Sequence, residues 1–308
     1  MAALRERRKY ELAVVILTYN VKEALLDCLA SVVLEGTANR QLIVVDNASA
    51  DGTKEAVEKE FPEVKYIYSQ KNLGFAAGND LAIPEVQADY VLFLNPDTVV
   101  VDKAIGKSLA FMKSRPEIGA LTCRVELPDG SLDYSCHRGL PTPWNALCYF
   151  SGLAKLFPKW GLVSGYTATH LDISVPHEME CGNGTFFLVR RTAGEAVGWW
   201  DKDYFWNGED VDFCYRLREA GWKIYFYPPA RIIHYKGSSS GLQKTARKPV
   251  PTQVRLQSAR AGIEAMRIFY EKHYLNKYPQ GLRKLVEAGI TLLEKYRLTK
   301  IKMEITHD

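Results

Sequence analysis

LAVVILTYNVKEALLDCLASVVLEGTANRQLIVVDNASADGT, residues 12–53, contains one complete strand–helix–strand unit. Ala13-Val14-Val15-Ile16-Leu17 is a short β-branched run, as a strand buried on both faces requires. After Thr18-Tyr19-Asn20, the segment from Lys22 to Glu35 puts Leu25, Cys28, Leu29, Val32 and Val33 on one helical face, and Gly36 stops it. Leu42-Ile43-Val44-Val45 is a second buried run. It ends in a polar loop, Asp46 to Thr53, which leads into a helix from about Lys54 to Glu60 with Asp51 as its cap.

The pattern continues outward. Val64 to Tyr68 and Tyr90 to Leu94 are two further strand-sized runs, with a Gly- and Asn-rich helical stretch, Gly74 to Ala82, between them. Strands separated by helices predict a doubly wound, mostly parallel α/β sheet. Such sheets bind ligands beyond the carboxyl ends of their strands. Thr18-Tyr19-Asn20, Asp46-Asn47, the loop after Tyr68 and Asn95-Pro96-Asp97 therefore become candidate binding loops. No GxGxxG follows the first strand and no GxxxxGK[ST] occurs, which argues against a nicotinamide dehydrogenase and a P-loop NTPase. The second half is less regular. Gly130 to Val175 is Pro-, Gly- and aromatic-rich without a period. Gly182-Asn183-Gly184 and an apolar run, Thr185 to Val189, precede an acidic and aromatic stretch, Asp201 to Asp212. A helix from about Val211 to Ala220 closes at Gly221, and a strand-like Lys223 to Tyr227 ends at Pro228-Pro229.

With 308 residues, 47% hydrophobic and 25% charged, the composition is that of a globular chain and excludes wholesale disorder or a fibrous repeat. No apolar stretch approaches the ~20 residues of a membrane-spanning helix. The apolar segment behind the basic N-terminus is too short for a signal peptide, so the expected location is the cytosol. The six cysteines form no CxxC pair and no zinc-type cluster, and are expected to be reduced and buried.

Seven segments occur in a fixed order: VVILTYN (14–20), VVDNASADGT (44–53), NLGFAAGND (72–80), FLNPD (93–97), GNGTFFLVRR (182–191), WNGEDVDFCYRLREAGW (206–222) and HYKGSSSG (234–241). In order and spacing this set resembles the inverting family-2 glycosyltransferases of the GT-A fold. The closest sub-group is the bacterial rhamnosyltransferases that build lipid-linked surface polysaccharides. The resemblance covers about residues 12 to 241. It implies a catalytic domain, 1–243, with a nucleotide-binding half at about 10–100 and an acceptor half at about 101–243. A basic helical extension, 244–308, follows.

The chemistry explains the residue types. A nucleotide-sugar donor loses a dianionic diphosphate, whose charge is commonly neutralised by Mg²⁺ or Mn²⁺ on oxygen ligands. The family usually carries a DxD here; Asn95-Pro96-Asp97 keeps the second carboxylate and replaces the first with an amide. The resemblance implies Asp97 as metal ligand, and Asn95 as a contact to the ribose or, through its carbonyl, to the ion. Read alone, Asn-Pro-Asp is also good turn chemistry. His234 matches a histidine that often completes the family's metal site, although imidazole suits zinc better than these ions. Gly237 to Gly241 would be a loop closing over the diphosphate. Asp46 matches the carboxylate that accepts the N3–H of a uracil or thymine. Thr18 and Asn20 would line the same base and ribose, with Asn72 and Asn79 as further contacts. Around Gly184, the missing Cβ would let the backbone approach the donor sugar.

In the matching motif the second acid of Glu209-Asp210 is the general base, which implies that Asp210 takes the acceptor hydroxyl's proton as that oxygen attacks. Glu209 would bind or orient the acceptor. Asp212, about 200° around a helix from Asp210, is expected to make structural contacts. The same acids also read as a helix N-terminus favoured by the macrodipole. Trp206 offers an aromatic face to a sugar; Trp199 and Trp200 either do the same or pack in the core.

The net charge of +4 hides an asymmetry: residues 244–308 carry 14 Lys and Arg against 6 Asp and Glu, leaving 26 against 30 in the first 243. A tail helix with Ile268, Phe269, Tyr270, Tyr274, Leu282, Leu285, Val286, Ile290, Leu292 and Leu293 among its cations suits the surface of an anionic inner leaflet. The alternative is a helical pair packed on the catalytic domain or on another subunit, as in a homodimer. Nucleic-acid binding is the weaker explanation, because no recognised module accompanies the charge. The resemblance implies transfer of rhamnose from dTDP-rhamnose to a glycan or polyprenyl-diphosphate-linked acceptor, with inversion. Three rivals compete: a UDP-sugar donor (galactofuranose, glucose or N-acetylglucosamine), a non-catalytic glycan- or nucleotide-binding protein with a degenerate site, and a nucleotidyltransferase. The last lacks its Gly/Arg/Lys-rich N-terminal loop.

Overall fold

β-Branched runs and amphipathic helices alternate through the first half of the computed structural model, which describes residues 9–236 and 252–305. In chain order come β1 (Tyr10–Thr18), α1 (Lys22–Glu35), β2 (Arg40–Asp46), α2 (Thr53–Glu60), β3 (Lys65–Tyr68), α3 (Gly74–Asp80) and β4 (Ala88–Leu94). The four strands pair in parallel in the order β3-β2-β1-β4, so their carboxyl ends share one edge. Val14, Val15, Val44, Val45, Leu92 and Phe93 are buried whichever face they point to, which is why these strands read as unbroken apolar runs. α1 turns Leu25, Cys28, Leu29 and Val32 inward and ends at Gly36, whose φ of 71° lies in the left-handed region.

The second half extends the same sheet. β5 (Thr98–Val101), α4 (Ala104–Lys113), β6 (Ile118–Glu126), α5 (Pro143–Phe150), α6 (Leu153–Leu156), β7 (His177–Met179), β8 (Phe186–Arg190), α7 (Arg191–Val197), α8 (Glu209–Glu219) and β9 (Lys223–His234) follow. The nine-stranded sheet runs β3-β2-β1-β4-β8-β6-β9-β5, with β7 also on β9. β8 is antiparallel to β4 and β6, while β5 and β7 are antiparallel to β9. The result is the mostly parallel α/β sheet that the sequence predicts.

Three local expectations need correction. β9 does not stop at Pro228-Pro229. Its register on β6 jumps from Cys123↔Tyr227 to Arg124↔Arg231, and this irregularity absorbs two residues that have no N–H to donate. α8 begins at Glu209 rather than Val211, launched by Gly208 at φ 86°. Asp51 does not cap α2, whose cap position is Gly52. Its carboxylate accepts the Lys22 N–H at 3.0 Å, at the start of α1, and the Thr53 hydroxyl.

The tail forms α9 (Thr252–Phe269), a π-helical turn (Tyr270–Tyr274) and α10 (Gln280–Ile305). Of its apolar residues, Ile263, Phe269, Tyr270 and Tyr274 are buried, whereas Leu285 and Leu292 remain exposed. Lys272 pairs with Asp201 and Asp203 at 2.6 Å each, and Lys277 with Glu219 at 3.2 Å. α9 therefore packs on the catalytic part, and Phe269, Tyr270 and Tyr274 are not available to a membrane. The Gly237–Gly241 loop lies outside the described residues. Among the described residues, no helix is long and apolar enough to cross a membrane. All six cysteines are free and buried.

Candidate active site

Sheet topology brings Asp97 and His234 together. β5 pairs antiparallel with the end of β9, setting Thr98 opposite His234, and the Tyr235 N–H donates to the Asp97 carbonyl at 2.8 Å. Asp97 Oδ1 then lies 3.2 Å from His234 Nε2, both side chains being buried. His234 Nδ1 lies 3.2 Å from Asp133 Oδ2, and Lys236 Nζ donates to Asp133 Oδ1 at 2.8 Å. Burial pulls the His234 pKa down, but its hydrogen bonds to Asp133 and Asp97 outweigh that and raise it to about 9. Burial opposes charge on Asp133 too, yet His234 and Lys236 hold its carboxyl well below the usual range.

Among the described residues no group of three or more His, Cys, Asp and Glu side chains forms a ready-made metal cage. The chemistry of the smaller set nevertheless fits a divalent ion. One carboxylate oxygen and one imidazole nitrogen face each other, and the far ring nitrogen is held by a carboxylate, as metal-ligating histidines usually are. A Mg²⁺ or Mn²⁺ held by two protein ligands takes the rest from phosphate and water.

Of the residues expected on the nucleotide side, Thr18, Asn20 and Asp46 lie at the carboxyl ends of β1 and β2, Asn72 in the loop after β3, Asn79 in α3 and Asn95 just after β4. Thr18 and Asp46 are register partners at the ends of β1 and β2. Asp46 Oδ1 accepts the Ser49 N–H at 2.7 Å, and Oδ2 accepts the Tyr66 hydroxyl. The Thr18 hydroxyl is buried with no partner among the described residues. Asn20, exposed and at φ 53°, accepts the Ala50 N–H at 2.8 Å, tying the two loops together. Asn72 accepts from the Asn47 amide and from the Gly74 N–H, each at 2.9 Å. Asn79 is buried and donates to the Phe75 carbonyl at 3.0 Å. Asn95 donates from its N–H to the Thr185 carbonyl at 3.0 Å, and from its side chain to the Thr185 hydroxyl at 3.4 Å. Gly184 is required by a side chain of this protein: a Cβ there would lie 2.5 Å from the Phe75 ring.

Glu209 and Asp210 open α8, both buried. Asp210 Oδ2 is ion-paired with Arg138, and Oδ1 accepts the Val211 N–H at 2.8 Å. Glu209 Oε2 is buried with no hydrogen-bond partner among the described residues. Burial, reinforced by the Asp210 charge, raises the Glu209 pKa to about 8. Asp212 points away into structure, bonded to Arg216 and, at 2.6 Å, to His273 of the tail. Trp206 is half-buried just ahead of the Gly208 turn. Trp199 and Trp200 are core residues, edge-on to Phe93.

Sequence reasoning missed Asp133 and Arg138. Both come from the aperiodic segment after β6; a bridge between Glu126 and Leu132 and the Asp133 N–H bond to the Val125 carbonyl at 2.8 Å place Asp133, and a bridge to Cys181 places Arg138. Asn183 joins in, donating to Ser135 Oγ at 2.8 Å. The segment 133–138 thus touches the Asp97–His234 pair at one end and Asp210 at the other. Beyond Arg138 lies a cavity of about 370 Å³, lined also by Asn145, Gly161, Glu180 and Arg218.

Residues 13–170 match the family described as Glycosyl transferase family 2. The N-acetylglucosaminyl-diphospho-decaprenol L-rhamnosyltransferase of Mycobacterium tuberculosis is 32% identical over 243 residues, covering 75% of this chain and 78% of that one. Rhamnosyltransferase WbbL of Escherichia coli is 28% identical over 204 residues, covering 63% and 72%. In fold the chain is similar to mannosyltransferase PcManGT from Pyrobaculum calidifontis, solved with GDP-Man and Mn²⁺. There the TM-score is 0.56 at 15% identity, covering 97% of this chain and 76% of that one. The fold, the edge cluster and these likenesses agree: the chain belongs to glycosyltransferase family 2 and is rhamnosyltransferase-like.

Proposed function

We propose that this protein is an inverting, metal-assisted glycosyltransferase. It moves rhamnose from dTDP-rhamnose onto a glycan or polyprenyl-diphosphate-linked acceptor at the inner face of the membrane. One geometric fact carries the reading: Asp133 contacts His234 opposite Asp97 while Arg138, five residues on, pairs with Asp210. The rhamnose and the lipid-linked acceptor are supported by the name of the mycobacterial relative.

In this reading the base and ribose rest on Thr18, Asn20, Asp46, Asn72 and Asn79, and the unpartnered Thr18 hydroxyl gains a bond. Asn95, Gly184 and Trp206 flank the sugar. Asp97 and His234 would hold the divalent ion, whose binding would displace the proton that His234 Nε2 shares with Asp97, while Asp133 keeps the other ring proton on Nδ1. When bound, the ion supplies positive charge against the departing diphosphate. Asp210 accepts the acceptor's hydroxyl proton as that oxygen attacks the anomeric carbon from the face opposite the diphosphate. Its Oδ2 is already engaged by Arg138, so the hydroxyl shares or displaces that contact. Glu209, with its pKa raised to about 8, is a neutral acid at pH 7 and can donate a hydrogen bond to the acceptor.

The test is transfer by the purified protein with dTDP-rhamnose and, separately, UDP-galactofuranose, UDP-glucose and UDP-N-acetylglucosamine, the product's anomeric configuration being read by NMR. Turnover of a UDP-sugar with none of dTDP-rhamnose rejects the donor. Asp210→Asn should cut transfer by about 10²–10⁴-fold, with donor affinity by calorimetry nearly unchanged. A fully active Asp210→Asn removes that residue as the base.

A further inference from the structure

α5 and α6 form a helical hairpin that faces its apolar side chains outward. α5 buries only Cys148 and α6 only Ala154. Trp144, Leu147, Phe150, Leu156, Trp160 and Leu162 are all exposed, Leu156 at 72%. The hairpin is nevertheless built: the Thr142 hydroxyl accepts the Asn145 N–H at 3.1 Å, the Trp144 indole donates to the Leu162 carbonyl at 2.8 Å, and the Ser164 hydroxyl donates to the Trp160 carbonyl at 3.0 Å. A folded surface of this kind marks an interaction site, because soluble proteins rarely leave large apolar patches bare.

Its charge says what covers it. Between Asp133 and Asp172 the chain has no Asp or Glu, while Lys155 and Lys159 stand exposed among the apolar residues. We propose that this hairpin is the face by which the protein sits on an anionic lipid surface. Leu and Phe side chains enter the acyl boundary, the tryptophans lie at headgroup depth, and the lysines meet anionic headgroups with no carboxylate to repel them. α10 is the competing face: it exposes Leu285 and Leu292 and carries six Lys and Arg against three Glu, but unlike the hairpin it has carboxylates, Glu287 and Glu294, interspersed with its leucines.

The place of the hairpin gives the docking a purpose. Its Asn145 and Gly161 line the cavity that reaches Arg138, the partner of Asp210. Seating the hairpin on lipid therefore brings the cavity to the headgroup layer, where a lipid-linked acceptor presents its sugar. That purpose rests on the acceptor reading above; the docking face does not.

The test is co-sedimentation of the full chain with vesicles of phosphatidylcholine alone or mixed with phosphatidylglycerol. The wild type should bind the mixed vesicles. A Leu147→Glu/Phe150→Glu/Leu156→Glu variant should bind about tenfold more weakly or worse, with an unchanged circular dichroism spectrum and unchanged transfer to a water-soluble acceptor. Lys155→Glu/Lys159→Glu, which leaves the apolar residues in place, should lose the preference for anionic vesicles. The proposal is overturned if the wild type binds neither vesicle, if both hairpin variants bind like the wild type, or if only Leu285→Glu/Leu292→Glu abolishes binding. It is equally overturned if the wild type is a dimer that the triple variant converts to monomer without any vesicle binding. Hairpin-dependent binding in a protein that transfers no sugar would uphold the docking face and reject the enzymatic reading.

Discussion

Asp133 is a single carboxylate with His234 on one oxygen and Lys236 and Ser135 on the other. If it orients His234 toward an ion, Asp133→Asn should weaken Mn²⁺ binding in the presence of donor nucleotide by about 10–100-fold, read by calorimetry. Unchanged Mn²⁺ affinity would leave Asp133 a purely structural residue. Glu209 makes a different prediction. Its pKa rises from 4.5 to about 8 on folding, so the folded state holds a proton that the unfolded chain has released. The protonated acid's contribution is therefore fully present below about pH 4.5 and is lost as pH rises through about 8. Glu209→Gln should raise the melting temperature more at pH 8.5 than at pH 5; an equal shift at both would contradict the buried, protonated acid. Asp97, Asp210 and His234 could be named as candidates because each lies inside a segment that carries the family resemblance, FLNPD, WNGEDVDFCYRLREAGW or HYKGSSSG. Asp133 and Arg138 could not. They lie where no period exists, and only tertiary contacts bring them to the site: the Asp133 N–H donates to the Val125 carbonyl of β6, and Arg138 bridges to Cys181.

Elements with one clear physical signature were read correctly. The span of α1, Lys22–Glu35, follows from its apolar spacing and its glycine stop, and the strands of the first half follow from their β-branched runs. The prolines of β9 misled because a bulge can absorb them, a property of the neighbouring β6 rather than of the residues themselves. The α5–α6 hairpin was illegible for a different reason: at 8 and 4 residues its helices are too short to establish a period, and their apolar residues lie on the outer face. The start of α3 offers a test at this scale. Gly74 sits at φ 79°, and a Cβ there would lie 2.2 Å from the Phe205 carbonyl oxygen, a backbone atom that cannot swing aside. The Asn47 amide donates to the Gly74 carbonyl at 3.0 Å, and the Phe75 N–H to the Phe205 carbonyl at 2.9 Å, fixing both sides of the contact. Left-handed backbone alone costs an alanine about 1–2 kcal/mol. With the clash added, Gly74→Ala should destabilise by about 3 kcal/mol in urea unfolding; a loss below about 1 kcal/mol would mean that the loop around Phe205 relaxes freely.

At the scale of the molecule, one sheet spans both halves, and the tail is bolted to the helix that carries the candidate base. Gly208, which launches α8, has no room for a Cβ because Ala265 of α9 and the Tyr204 ring would lie 2.8 and 3.1 Å away. His273 reaches the buried Asp212 one turn further along α8. Phe269, buried, packs edge-on against Tyr215 of α8 and against Tyr274, with ring centroids 5.6 and 5.2 Å apart. The basic tail that looked like a separate object in the sequence thus shares the core of the catalytic part. Part of its charge excess is met locally, through Lys272 with Asp201 and Asp203 and through Lys277 with Glu219. A shared core melts as one. Phe269→Ala should cost about 3–5 kcal/mol and move a single thermal transition, seen alike by far-ultraviolet circular dichroism and by the fluorescence of the six tryptophans, all of which lie in the catalytic part. An early melt of helical signal with the tryptophan transition unmoved would show instead that the tail folds on its own, and that the positioning of α8 does not depend on it.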